Sequence, residues 1–197
     1  MKLDVPFHTQ ENDYDCGPVS LKMVLDFLGK NYTINELKYV LNYSQGEAVY
    51  TIELASAASE LGLKSEFFTA EPWNSHEDEE FMEKHGREKQ NQELYDEAEQ
   101  KDVNIHFKLV RLEELLNLVS KNSIPIVLLD WHEITGEDNY QGHLVPLVGY
   151  NQDDVFIHEP SDPNGDFMQI PRDEFDKARK AEGTDQDISL IKLNQNR

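Results

Sequence analysis

Between Pro18 and Gly29 lies the stretch Val19-Ser20-Leu21-Lys22-Met23-Val24-Leu25-Asp26-Phe27-Leu28. Val19, Met23, Val24, Phe27 and Leu28 recur at helical spacing, and Leu21 and Leu25 widen the apolar surface well beyond a single stripe. Such a helix has to be covered on most of its sides. Its ends are punctuated, with Pro18 in the first turn and Gly29 just past the last. The spacing predicts a helix from about Gly17 to Leu28, and the rest of the chain has to supply its cover.

That cover is legible in outline. After an extended segment, Leu3 to Phe7, and a polar loop, Thr9 to Asp15, the buried helix is followed by two more. Thr33 to about Leu41 opens with Thr33 as N-cap and Glu36 closing a capping box. Thr51 to Leu61 ends at Gly62, and Lys64 to Thr69 reads as a strand. Past residue 104 strands dominate: Ile105–Val110, Ile124–Trp131, Leu144–Tyr150, Val155–His158, Phe167–Ile170 and Ile188–Leu193. A helix at Leu112–Lys121 and a shorter one at Asp173–Arg179 interrupt them. Helices first and an antiparallel sheet afterwards make an α+β fold.

The chain of 197 residues suits one domain, 1–197. Its composition changes over about 71–104, where Ser75 to Lys101 is crowded with Glu, Asp, Lys and Gln. The expectation there is an acidic insertion, exposed as a helical excursion or mobile, broken at Gly86 and without a core of its own.

The net charge of −21 sets the class of partner. A field of that sign repels nucleic acid and anionic membranes, and favours a peptide or protein partner, with a basic one attracted most. No stretch is long and apolar enough to span a membrane, and the opening residues lack the apolar run of a signal peptide. The reading is a cytoplasmic protein.

There is a single cysteine, Cys16, so no internal disulfide forms. It lies at the first turn of the buried helix, in Gln10-Glu11-Asn12-Asp13-Tyr14-Asp15-Cys16-Gly17-Pro18. Unpaired backbone N–H groups at a helix start favour an anion, which is how a thiol becomes a thiolate. Asp15, placed to cap the helix, opposes that charge, so a protonated histidine is needed beside the sulfur. Gly17 leaves room for a substrate, and the tight turn aims N–H groups at a developing oxyanion. Gln10, six residues before the cysteine, can complete an oxyanion hole from a loop folded back over the helix start.

Of seven histidines, His143 is best placed as the base. It opens the apolar strand His143-Leu144-Val145-Pro146-Leu147-Val148-Gly149-Tyr150, at the mouth of a sheet. Hairpin pairing across Asn151–Asp154 brings the 143 and 159 regions together. Glu159 is the first choice as the acid that orients the imidazole, and Asp162 the reserve. His158 reads as a structural strand residue. His8, His106 and His132 read as surface or strand-end residues. His76 and His85 fall in the acidic segment without convincing metal-ligand spacing, and neither a metal nor another cofactor is expected.

These residues resemble a known family. Gln10 with Asp15-Cys16-Gly17-Pro18 and the helix up to Gly29 is similar to the active-site helix of the bacteriocin-processing peptidases, papain-like cysteine peptidases that cut after a double glycine in leader peptides. Gly142 to Tyr150, followed by Val155-Phe156-Ile157-His158-Glu159-Pro160, resembles that family's histidine strand and the strand after it. The resemblance implies a papain-like fold, Cys16 as nucleophile, His143 as general base and acid, and Gln10 as oxyanion donor. The family carries an aspartate before the proline where this chain has Glu159, one methylene longer. The expected function is a thiol hydrolase cleaving a peptide or isopeptide bond. The alternatives are a binding module of the same fold that has lost catalysis and an acyltransferase using the same triad.

Overall fold

The computed structural model describes residues 1–70 and 91–194. The buried helix, α1, is Cys16–Phe27, and Gly17 to Leu21 and Met23 to Leu25 are all buried. Gly29 follows in the left-handed region, φ 76°, where glycine costs least. Helices α2 (Ile34–Val40) and α3 (Thr51–Glu60) pack against it. The capping box at Thr33 forms as expected, with Glu36 Oε2 accepting the Thr33 N–H at 2.7 Å.

The described strands form one seven-stranded sheet in the order β2-β1-β7-β3-β4-β5-β6. They are β1 (Lys64–Thr69), β2 (Asn104–Phe107), β3 (Ser123–Asp130), β4 (Gly142–Tyr150), β5 (Asp154–Ile157), β6 (Met168–Pro171) and β7 (Ile188–Lys192). Among them lie α4 (Asn91–Gln100), α5 (Leu112–Leu118), the single turn α6 (His132–Thr135) and α7 (Arg172–Ala178). The pairings are antiparallel except β1 with β2, which run parallel. The α+β class and the papain-like arrangement of a buried helix on this sheet are the observed architecture.

The parallel pair corrects one expectation. Parallel neighbours need a crossover, and α4 lies on it. Leu94 and Ala98 of α4 are buried with Ile52, Ala55, Phe67 and Val103 in a cluster separate from the main core. The end of the acidic segment is therefore built into the fold. Its apolar residues are too few to form a core alone, yet two of them suffice to seat one face of a helix on α3 and β1. The part of that segment over 71–90, with Gly86, His76 and His85, lies outside the described residues. Among the described residues, no helix is long and apolar enough to cross a membrane.

The N-terminal segment runs along β4 and then delivers the loop before α1. Leu3 N–H donates to Val148 O at 2.9 Å, and Lys2 bridges Gly149. A Cβ on Gly149 would lie 2.5 Å from Met1 O, so only glycine admits this crossing. The β4–β5 register shifts at the same place, between Leu147 and Gly149. Farther along, Gln10 N–H donates to Pro160 O at 2.8 Å. The loop ahead of Cys16 is thereby tied to the turn after β5, and both end beside the start of β4.

Candidate functional site

α1 packs on β4, with Ser20 Oγ donating to Leu144 O at 2.8 Å, and this contact carries Cys16 to the first residues of the strand. Gly17 is what lets them approach. A Cβ there would meet Leu144 Cδ1 and Val49 Cβ, each at 3.2 Å. The glycine thus serves close packing of the helix start against Leu144 and Val49, two walls of the cleft described below.

His143 is buried at the start of β4, where its ring lies against Trp131 with centroids 5.0 Å apart. Its Nε2 sits 2.9 Å from Glu159 Oε1 and 2.7 Å from Oε2. That leaves Nδ1 for the Cys16 thiol, which hydrogen-bonds the same ring. Burial opposes charge on His143. The bonds to Cys16 and Glu159 outweigh it, and the imidazolium pKa is pushed up to about 10. Glu159 is itself buried, which works against its ionisation, but His143 and Ser161 together hold its carboxyl below the usual range.

The extra methylene of Glu159 is accommodated by the loop after it. Ser161 donates both its N–H and its hydroxyl to Glu159 Oε1, each at 2.5 Å. Glu159 N–H donates to Gly165 O at 2.9 Å, and a Cβ on Gly165 would lie 2.1 Å from Glu159 O. The reserve acid is elsewhere engaged: Asp162 Oδ1 accepts the Asn164 N–H at 2.8 Å within its own turn.

Asp15 occupies the N-cap position without capping, since its side chain makes no bond to the helix N–H groups. Asn12 Nδ2 donates to its Oδ2 at 3.0 Å, and Lys38 of α2 pairs with the same oxygen at 2.7 Å. Burial raises the Asp15 pKa, but these partners lower it further, so the carboxylate stays charged and balanced by Lys38. Sequence reasoning named the opposing charge and missed the lysine that offsets it. It also missed Trp131 and Ser161, although Ser161 stands two residues past the acid, at the spacing of a side chain that closes its own turn.

Gln10 reaches the neighbourhood by its backbone. Its Nε2 lies 3.4 Å from Asp13 O, and Oε1 is buried without a hydrogen-bond partner. Of the other histidines, His8 pairs with Asp26 and His106 with Glu66. His132 Nδ1 bonds Asn139 O, and His158 is locked between Val5 O and the Phe167 N–H.

Cys16 and His143 both line a cleft of about 310 Å³. Val49, Leu128 and Leu144 give it apolar walls, and Asp13 and Asp187 bring carboxylates to it. The sequence model of one family, described as guanylylate cyclase, matches residues 5–191. The chain belongs to the guanylylate cyclase family. Guanylyl cyclase 1 of Arabidopsis thaliana is 27% identical over 215 residues, covering 97% of this chain and 76% of that protein. Solved structures add a likeness in fold to peptidases. A structure described as a C39-like peptidase from Bacillus anthracis covers 100% of both chains at TM-score 0.62 and 17% identity. A double-glycine-motif protease from an AMS/PCAT transporter, solved with its leader peptide, covers 98% of this chain and 94% of its own at TM-score 0.56 and 18% identity. The peptidase domain of Streptococcus ComA covers 97% and 99% at TM-score 0.58 and 14% identity. The resemblance read from the sequence thus holds for the fold, while the family whose model matches bears another name.

Proposed function

We propose that this member of the guanylylate cyclase family is a thiol-dependent hydrolase acting on a peptide or isopeptide bond. The observation that carries the reading is the chain from buried Glu159 through buried His143 to half-buried Cys16, bonded on both sides of one imidazole and beside a cleft that Cys16 lines. Glu159 holds the ring and steadies its charge, and the imidazolium faces the thiolate. The thiolate attacks the substrate carbonyl carbon, and the C=O electron pair moves onto oxygen. Backbone N–H groups at the start of α1 receive that charge, and the Gln10 amide is the further donor in this reading. His143 gives its proton to the leaving amine as the C–N bond breaks, leaving a thioester on Cys16. It then takes a proton from water, which attacks the thioester and frees the thiol. An amine in place of water makes the same machinery an acyltransferase.

The name of the relatives invites a test of its own. The described wall of the cleft presents Asp13 and Asp187 and supports a peptide better than a triphosphate. A cysteine-directed acyl probe, applied to intact protein, checks the proposal: wild type labels at Cys16, and Cys16→Ala and His143→Ala do not. Equal labelling in His143→Ala, or cyclic GMP formed from GTP at the same rate by wild type and Cys16→Ala, sinks it.

A further inference from the structure

We infer that Lys38 is a positioning residue for the Cys16 thiolate: its ammonium cancels the charge of the buried Asp15 carboxylate that precedes the cysteine. The inference rests on the thiolate reading of Cys16 and deepens it. Asp15 is 2% exposed, and it ties together the loop that delivers the cysteine. Its Oδ2 accepts from Asn12 Nδ2 at 3.0 Å, and its N–H donates to Asn12 O at 3.1 Å. Asn12 Oδ1 in turn accepts from Gln45 Nε2 at 3.0 Å. An ionised acceptor strengthens a bond of the first kind. The same charge, one residue before the sulfur, opposes a thiolate.

Lys38 removes that conflict. Its Nζ lies 2.7 Å from Asp15 Oδ2 and 5.2 Å from the centre of the Tyr43 ring, and its side chain is 21% exposed. Glu36 and Tyr39 of the same helix are exposed, whereas Lys38 is drawn in to this pair. Tyr43 stands beside Asp15 and brings no charge of its own, because burial and the carboxylate hold its phenol above the ordinary range. From β4, His143 faces the sulfur with Glu159 behind it. Asp13, Tyr14, Tyr50, Tyr140 and Asp187 line the cleft around them. The carboxylates among these share the sign of Asp15, so an uncancelled Asp15 adds to a field already set against the thiolate.

The test is the pH profile of Cys16 alkylation per folded molecule, on the full chain, with iodoacetamide, an uncharged reagent that the surface field does not steer. In Lys38→Met, Asn12 and Tyr43 remain to hold Asp15 ionised. The midpoint of the acid limb should then rise by about one pH unit, with a rate near pH 5 about tenfold lower and an unchanged plateau, as for one uncancelled charge on the adjacent residue. Lys38→Arg should restore the wild-type limb. The double variant Asp15→Asn/Lys38→Met, which removes both charges, should also bring the midpoint back, and Asp15→Asn alone should move it below wild type. An unmoved midpoint in Lys38→Met overturns the role. A double variant displaced as far as Lys38→Met overturns it too, since the lysine is then a tether whose charge does not matter. Wild-type alkylation that climbs with pH to about 9 without a plateau is a different result: it removes the thiolate reading, and this inference with it.

Discussion

His143, at the start of β4, and His158, just past the end of β5, are both buried histidines, and their chemistry runs in opposite directions. His158 is 0% exposed and has neutral dipoles on both ring nitrogens: its Nε2–H donates to Val5 O at 2.8 Å, and its Nδ1 accepts the Phe167 N–H at 3.0 Å. One donor and one acceptor fit the neutral ring alone, and burial pushes its pKa down. His143 instead faces a carboxylate on one side and a thiol on the other, and its pKa is raised to about 10. Depth of burial does not separate them. The charge of the partners does. Glu159 adjoins His158 in sequence yet serves His143, because successive residues of an extended chain point to opposite faces. One face of this strand end builds structure, and the other arms the cleft.

Exchanging the two histidines for alanine should break the comparison most visibly. His143→Ala should lower Cys16 alkylation per folded molecule at pH 7 by at least ~100-fold, the size expected of a lost general base. His158→Ala should cost stability and spare the chemistry. It leaves the Phe167 N–H and Val5 O without their partner and opens a cavity beside Phe7 and Phe167, at a cost of about 2–4 kcal/mol. Alkylation per folded molecule should stay within about twofold of wild type, on the general independence of separated sites. Urea unfolding and iodoacetamide kinetics on the same two variants measure both arms. An equal fall in alkylation per folded molecule in both variants would undo the contrast.

The sequence was legible wherever a local pattern decides the outcome. The span of α1, the capping box at Thr33 and the hairpin that brings 143 near 159 all follow from spacing and turn residues, and the structure contains each of them. The geometry that joins Cys16, His143 and Glu159 was foreseeable on the same ground, since each lies at the end of a strongly patterned element. What escaped was tertiary. Lys38 reaches Asp15 across 23 residues, and Gly17 answers to Leu144 and Val49, contacts that no window of sequence contains. The parallel pairing of β1 with β2 was hidden because α4 shows a mostly charged face and only two buried anchors, Leu94 and Ala98.

Proton linkage sharpens the comparison. The folded pKa of His143, about 10, lies above the ordinary 6.5, so between those values the folded chain holds a proton that the unfolded chain has released. Its contribution to stability is complete below pH 6.5 and is lost as pH rises through about 10. His158, with its pKa lowered, moves the other way: its neutral ring stabilises the fold above the ordinary value, and that contribution shrinks as pH falls below it. Urea unfolding at pH 6, 8 and 10 should therefore show the gap between wild type and His143→Gln narrowing with pH, by at most ~1.4 kcal/mol per unit. The gap between wild type and His158→Gln should narrow only on the acid side. Parallel curves in the alkaline range would show that His143 carries no extra proton in the folded state.

The smallest effect belongs to the residue that lets a glutamate stand in this place. Ser161 gives Glu159 Oε1 two donors, one from the backbone and one from the hydroxyl. Ser161→Ala removes the second and keeps the first. Glu159 then loses part of what holds its carboxyl low against burial, and its pKa rises. A group with a depressed pKa is charged at neutral pH and loses its charge as pH falls through that value. Raising the value moves the acid limb of Cys16 alkylation to higher pH. The loss should be about threefold to tenfold near pH 5, as for one hydrogen bond to a charged group, and smaller at pH 8. Ser161→Thr, which keeps a hydroxyl, should restore the wild-type limb. His158 has no part in this chain, so its variants should leave the acid limb unmoved. A uniform loss across all pH values in Ser161→Ala would mean that the serine shapes the loop and leaves the charge on Glu159 unchanged.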